Sequence, residues 1–209
     1  MITLYARSGS GSAAVEALLA ECGVEFQIVE VPREGPAFDE FLKINPRGEV
    51  PALRLLDNTL MTESAAMMIY LADYYQDHGL APMPNSASRP AYLRWILYFA
   101  ASVYMADLRY FYPARHSVDP AAAVGIKAKS AIDLDRDFSI FSNALGKGPY
   151  ILGEIFSAAD IYAMMLISWA PDIKEVFVKY PNIKRLYDLV AARPKINPVW
   201  DRNGMIFHE

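Results

Sequence analysis

The stretch Asn45-Pro46-Arg47-Gly48-Glu49-Val50-Pro51-Ala52-Leu53, followed by Thr62-Glu63-Ser64-Ala65-Ala66, decides how the rest of the chain is read. Asn45-Pro46-Arg47-Gly48 is dense turn chemistry, and Val50-Pro51 stands where that turn enters a strand. Proline donates no ladder hydrogen bond, so Pro51 belongs at a strand's first residue or at an edge. A trans peptide is the commoner state of an X-Pro bond. A cis bond would leave the N–H and C=O of Val50 unpaired and outward-pointing, able to pair with a peptide backbone as an added strand does. Glu63-Ser64 falls at a strand-to-helix junction, where Ser64 is a natural N-cap and the free N–H groups attract an anion. Capping alone accounts for Ser64, and solvation for Glu63. The functional alternative has the helix start and the Ser64 hydroxyl bind a carboxylate while Glu63 pairs an ammonium, so that together they clasp an amino-acid head group.

Upstream of these stretches, residues 2–5 form a short β-prone run. Ser8-Gly9-Ser10-Gly11-Ser12 then turns into a helical pattern with Val15, Leu18, Leu19 and Cys22 on one side, and Gly23 ends it as a C-terminal cap. A second strand over residues 26–31 is closed by Pro32, and a brief helix covers 37–44. Residues 52–56 and 59–62 read as strands joined by a tight hairpin at Asp57-Asn58, and a helix runs from Ser64 to about Tyr75. The order β-α-β-α-β-β-α is complete by residue 76. Residues 77–88 have linker composition. Beyond them, helical patterns cover 89–111, 121–145, 157–169 and 181–192, so 89–209 is expected to form one helix bundle. The tail from Pro194, with Pro198 and Gly204, reads as irregular, and no role is assigned to it.

Composition narrows the class. Among 209 residues with a formal net charge of −4 there is no long basic run, which argues against nucleic acid as a partner. No stretch is long and apolar enough to span a bilayer, and the opening Met1-Ile2-Thr3-Leu4-Tyr5 lacks the basic-then-apolar pattern of a secretory leader, so a cytoplasmic location is expected. Cys22, the single cysteine, lies beside Leu18 and Leu19 and reads as a packing residue rather than a nucleophile. Hydrophobic residues make up 54% of the chain and include 13 tyrosines, enough for a core plus an aromatic-lined small-molecule cleft. Metal chemistry has little support: His78, His116 and His208 are scattered, and Asp133, Asp135 and Asp137 recur like a calcium loop but carry Phe138 where such a loop needs glycine.

The two opening stretches together resemble the glutathione-site signature of the glutathione transferase superfamily. A third stretch, Gly153-Glu154-Ile155-Phe156-Ser157-Ala158-Ala159-Asp160, is similar to that family's N-capping box. The box has its own physical logic, since Ser157 can accept from the N–H of Asp160 while the Asp160 carboxylate reaches back to the N–H of Ser157. The resemblance implies a thioredoxin-like glutathione-binding domain over 1–76, followed by an all-helical domain that holds an apolar co-substrate. It further implies that Pro51 is cis, that Val50 pairs with the cysteinyl backbone of glutathione, and that Glu63 and Ser64 hold its γ-glutamyl end. The implied assembly is a homodimer. Glu49 departs from the Gln or Lys of many relatives and puts an anion where the glycyl carboxylate is held; Arg47 could compensate.

The chemistry expected of such a site is addition of the glutathione thiolate to a small electrophile. A thiol near pKa 8.5 is only a few per cent ionised at neutral pH, and lowering it by about two units takes about 2.7 kcal/mol. A helix N-terminus supplies about 0.3–1 kcal/mol and a hydrogen bond to a charged group about 1.5–3 kcal/mol. A hydroxyl donor at the start of the first helix is therefore expected. The candidates are Ser10, then Ser12, then Tyr5, beside the alternatives that Ser12 caps the helix, Ser10 is loop and Tyr5 is core. Where cysteine-type members carry their nucleophile this chain has Gly11, which excludes a mixed disulfide there. Tyr104, Tyr110, Phe111 and Tyr112 lie in the region that lines the apolar site in relatives, although aromatic helix faces commonly just pack.

Two other classes compete. Gly9-Ser10-Gly11-Ser12-Ala13-Ala14 fits a dinucleotide fingerprint with Glu30 as the ribose-binding acid; that reading needs further parallel β-α units, which the chain does not offer after residue 76. A non-enzymatic ligand-binding relative shares the fold, and a glutathione-dependent isomerase or dehalogenase shares the glutathione site.

Overall fold

The computed structural model describes residues 1–207. These fall into two compact units: Met1–Ala81 together with the described residues from Ala191 onward, and Pro82–Val190.

The first unit opens β1 (Ile2–Ala6), α1 (Ser12–Cys22), β2 (Phe26–Glu30), α2 (Pro36–Ile44), β3 (Ala52–Arg54), β4 (Leu60–Met61) and α3 (Ser64–Tyr74). Its sheet has the order β2-β1-β3-β4, with β1 and β2 parallel and the pairs β1–β3 and β3–β4 antiparallel. This is the thioredoxin-like arrangement. It is incompatible with the doubly wound sheet of a dinucleotide domain, because β3 returns antiparallel instead of adding a further parallel β-α unit. Ile2, Leu4 and Ala6 are buried on one face of β1, while Thr3 and Tyr5 alternate to the other and are half-buried. Tyr5 packs on Phe41 of α2 with ring centroids 5.6 Å apart, beside Val31 and Ala52.

The chain returns to this unit at its C-terminal end. Where the sequence reads as irregular tail, α10 (Asn197–Arg202) forms, with Pro198 in its first turn and Trp200 fully buried. Proline is tolerated in a first helical turn because the N–H it lacks has no intrahelical acceptor there. Burial of Trp200, a tertiary effect, decides the conformation. Residues from Ala191 onward thus group with the sheet domain, whereas the sequence reading keeps them in the bundle.

The second unit contains α4 (Arg89–Tyr98), α5 (Tyr104–Phe111), α6 (Ala123–Leu145), α7 (Ala158–Ser168) and α8 (Ile173–Lys179), with α9 (Pro181–Ala191) closing it. The expected single helix over 89–111 is interrupted by one π-helical turn, Phe99–Val103. The wider turn changes the facing of everything after it, and Phe99 and Val103 are both buried. α8, absent from the sequence reading, is seven residues long and capped by Asp172, whose Oδ1 accepts from Glu175 N–H at 2.9 Å.

α7 is buried along nearly its whole length, and its capping box is present. Asp160 Oδ2 accepts from the Ser157 N–H at 2.8 Å and from its hydroxyl at 3.0 Å, and Oδ1 accepts from Ile151 N–H at 2.8 Å. Burial nonetheless pushes the Asp160 carboxyl up to about 6, against those hydrogen bonds, which favour the ionised form. Among the described residues, no helix is long and apolar enough to cross a membrane.

Candidate functional site

Strand register brings three segments to one end of the sheet. Tyr5 of β1 stands opposite Ala52 of β3, and Leu53 opposite Met61 of β4. The loop leaving β1 (Arg7 to Gly11), the turn entering β3 (Val50-Pro51) and the turn leaving β4 (Thr62-Glu63) therefore emerge together. The Val50–Pro51 peptide is cis. Among the described residues, no hydrogen bond engages either main-chain group of Val50.

The turn before β3 is built around Asn45, which is buried. Its Nδ2 donates to Glu49 O at 2.8 Å and its Oδ1 accepts from Arg47 N–H at 3.3 Å. Gly48 closes the turn at φ +64°, and a Cβ there would come within 2.8 Å of the Phe38 ring. Arg47 and Glu49 face each other as a fork: Nε to Oε2 at 2.9 Å and Nη2 to Oε1 at 3.0 Å, both side chains largely exposed. The Glu49 carboxylate is thus paired with the cation two residues before it. Glu49 chiefly, with a smaller contribution from Glu63, raises the Arg47 pKa above its already high ordinary value.

At α3 the positions are shifted by one residue from expectation. Glu63 occupies the N-cap and Ser64 is the first helical residue. Glu63 holds φ +66°, the left-handed region that costs a side-chain-bearing residue about 1–2 kcal/mol. Its side chain makes no capping bond, and beyond this N-cap glutamate the first turn of α3 contains no acidic residue.

In the β1–α1 loop the three hydroxyl candidates separate. Ser12 is fully buried. Its Oγ accepts from Arg7 N–H at 3.2 Å and lies 3.1 Å from Arg7 O and 2.9 Å from Ser10 Oγ. It closes the turn. Ser10 is half-buried and donates to Arg7 O at 2.6 Å. Because Ser12 can donate to the same carbonyl, the Ser10 proton can be released outward without stranding an acceptor. Tyr5 is engaged with α2, as described. α1 begins after Gly11, which carries no side chain to cap it, and its first turn holds no acid. Glu30, the acid required by the dinucleotide reading, accepts from Ser8 N–H at 3.2 Å.

Cys22 is buried, and burial chiefly, with Glu21, pushes its thiol up to about 11, which suits packing rather than nucleophilic work. In the second unit, Tyr104 stands edge-on to Trp169 at 5.3 Å, while Tyr110 and Phe111 pair at 5.1 Å at the far end of α5. Lys127 lies over Tyr110, and Arg115 over Tyr112. None of the four belongs to the buried core, and Phe111 is half exposed. Asp133, Asp135 and Asp137 lie on α6 in ion pairs with Lys129, Arg136 and Lys179. Asp133 and Asp137 are buried, and all three stand within the continuous helix α6, so they form no calcium loop. Among the described residues, no three His, Cys, Asp or Glu side chains group as a metal site.

Two residues in this region fall outside the sequence reading. Glu16 is a lone acid in the apolar run of α1, and it is buried; Asn203 follows α10 and is also buried. An acid amid Ala13-Ala14-Val15 and Ala17-Leu18-Leu19 is a signal that a partner must come from elsewhere in the chain.

Residues 12–73 match the glutathione S-transferase N-terminal domain family, and residues 121–194 match the glutathione S-transferase C-terminal domain family. The uncharacterized GST-like protein YncG of Escherichia coli K12 is 30% identical over 210 residues, covering 99% of this chain and 100% of the relative. Glutathione S-transferase GstA of Escherichia coli O157:H7 is 29% identical over 97% of this chain and 98% of the relative. The solved structure of a glutathione transferase homolog from Sulfitobacter, with bound glutathione, is 29% identical and superposes with a TM-score of 0.86 over 99% of both chains. The chain belongs to the glutathione S-transferase family.

Proposed function

We propose that this protein is a glutathione S-transferase that takes glutathione as co-substrate, ionises its thiol and adds the thiolate to a small apolar electrophile. The observation that carries the reading is the unengaged N–H and C=O pair of Val50, beside Pro51 and at the same sheet end as the N-termini of α1 and α3. In this reading Val50 pairs with the cysteinyl backbone by strand addition. Glu63 receives the γ-glutamyl ammonium, and Ser64 with the α3 N-terminus receives its carboxylate. Arg47 serves the glycyl end.

The thiolate is held by the Ser10 hydroxyl and the positive end of α1, with Ser12 supporting Ser10 by sharing Arg7 O. Direct attack on the electrophile follows, the sulfur forming the new bond as the leaving group departs with its electron pair. The helical unit supplies the apolar pocket through Tyr104, Tyr110, Phe111 and Tyr112. A cytoplasmic homodimer is the proposed working form.

Titration calorimetry with glutathione, followed by conjugation of an activated aryl halide, tests the proposal. Saturable binding and turnover above the solution rate are expected. Absence of glutathione uptake at millimolar concentration refutes the site, and binding without turnover refutes the enzyme.

A further inference from the structure

The C-terminal segment reaches back to the loop that carries Ser10. Asn203 accepts the Gly9 N–H on Oδ1 at 3.1 Å, and donates from Nδ2 to Glu16 Oε2 at 3.1 Å and to Val199 O at 2.8 Å. Glu16 is also ion-paired with Arg202, and the Ser8 hydroxyl donates to Arg202 O at 3.3 Å. Gly9 sits at φ +70°, and a Cβ placed on it would lie 3.6 Å from Asn203 O. Only a carboxamide offers, at this length, one acceptor and two donors in the required arrangement. An aspartate would face Glu16 with like charge, and an aliphatic residue would strand the Gly9 N–H and a buried carboxylate oxygen. The carboxamide therefore spans from a buried acid in the body of α1 to the residue immediately before Ser10.

We propose that Asn203 is a positioning residue, whose carboxamide fixes the Ser8-Gly9-Ser10 backbone so that the Ser10 hydroxyl is aimed at the thiolate. The role rests on the thiol-activating function given above to Ser10. Asn203 itself touches no substrate. It acts through Gly9, and its contribution is to ionisation of the thiol rather than to capture of the tripeptide.

The test compares the wild type with Asn203→Leu, Arg193→Ala and Ser10→Ala. Arg193 pairs with Glu21 at 2.5 Å and ties the same C-terminal segment to the other end of α1, so its removal loosens that segment without touching the loop. Four quantities are measured: thermal midpoint, amide exchange at Gly9, the pKa of bound glutathione's thiol, and kcat with KM for glutathione. Asn203→Leu is expected to speed Gly9 exchange about tenfold and to raise the bound thiol pKa by about half to one unit, as loss of part of one charge-directed hydrogen bond implies. It should lower kcat about three- to tenfold near neutral pH while KM stays within about twofold. Arg193→Ala is expected to lower the thermal midpoint and leave the other three quantities at wild-type values. If Asn203→Leu does not fold, Asn203→Ala is read by the same criteria.

Equal pKa shifts in the Asn203 and Arg193 variants, or none in the Asn203 variant, overturn the proposal. The two readings fail separately. Should Ser10→Ala leave the thiol pKa unchanged while Asn203→Leu raises it and speeds Gly9 exchange, the loop clamp stands and the hydroxyl assignment falls. The reverse pattern removes the clamp and keeps Ser10.

Discussion

Replacing Ser10 by alanine is the sharpest test of the proposed chemistry, because the structure makes the three hydroxyl candidates unequal. Ser12 is sealed within the turn and Tyr5 is packed on Phe41, while Ser10 is half-buried and can hand its acceptor, Arg7 O, to Ser12. A hydrogen bond to a charged group is worth about 1.5–3 kcal/mol, and each pKa unit corresponds to about 1.4 kcal/mol, so Ser10→Ala should raise the bound thiol by about one to two units. The α1 terminus is untouched by the change and keeps its share, about 0.3–1 kcal/mol, so the bound thiol should stay somewhat below its free value.

The readout is thiolate ultraviolet absorbance of the glutathione complex across pH, set beside glutathione affinity by calorimetry. Affinity should move little at a pH where the thiol is protonated. Ser12→Ala should cost stability more than ionisation, since it empties a buried site that accepts the Arg7 N–H. Tyr5→Phe should leave the thiol pKa within a few tenths of a unit, well inside the one-unit scale expected of a charge-directed hydrogen bond. A Ser10→Ala complex with an unshifted thiol pKa, or a Tyr5→Phe complex shifted by a full unit, would refute the assignment.

Five further outcomes are expected. Glu49→Gln removes an anion beside the proposed glycyl subsite and releases Arg47 from its fork, so glutathione affinity should rise by about two- to fivefold at low salt and less at high salt, as calorimetry at two ionic strengths will show. Glu63→Gly relieves the left-handed strain but deletes the proposed ammonium partner: the thermal midpoint should hold or rise, with a stability gain of up to about 1 kcal/mol, while glutathione affinity drops about tenfold or more. Gly48→Ala forces a side chain into φ +64° and against Phe38, and should cost about 2–4 kcal/mol in urea unfolding. Asp160, held near 6 when folded against about 3.9 when unfolded, binds more protons in the native state between those values. Stability should therefore fall by about 3 kcal/mol as pH rises from about 4 to 6 and level off above, in the same direction as the buried Asp107, whose carboxyl burial also raises; Asp107→Asn should make the protein more stable at neutral pH.

The architecture was legible where local chemistry and tertiary packing agree. The cap at Gly23 and the box at Ser157 and Asp160 each contain their own instruction, and Gly23 caps α1 in the left-handed conformation. The hairpin was expected at Asp57-Asn58 with strands 52–56 and 59–62, but the strands stop at Arg54 and resume at Leu60 in a register centred on Asp57, with Asn58 at positive φ. What escaped depends on distant partners. α10 has proline and glycine at its ends and only six residues, too short to declare a period, and it forms because Trp200 is buried. The π turn at Phe99–Val103 likewise has no local signature in Ala100-Ala101-Ser102. At the site, the spacing of Val50-Pro51 and Glu63-Ser64 carried most of the information. Choosing among Ser10, Ser12 and Tyr5 required knowing which face of β1 meets α2 and which hydroxyl is sealed, and neither follows from spacing.

Charge at this end of the sheet points the same way as the geometry. Glutathione brings two carboxylates, one ammonium and, when ionised, a thiolate, so a suitable site needs more positive than negative potential without a cluster of free cations. Here the only basic side chain in the two signature stretches, Arg47, is already matched by Glu49. The positive potential comes instead from α1 and α3, which begin with no acid in their first turns. Glu63 is the one exposed anion at the α3 start, and its backbone sits in a conformation that other residues would hold at less cost. In the proposed function that glutamate pairs with the ammonium of the γ-glutamyl end, beside the unengaged main-chain groups of Val50.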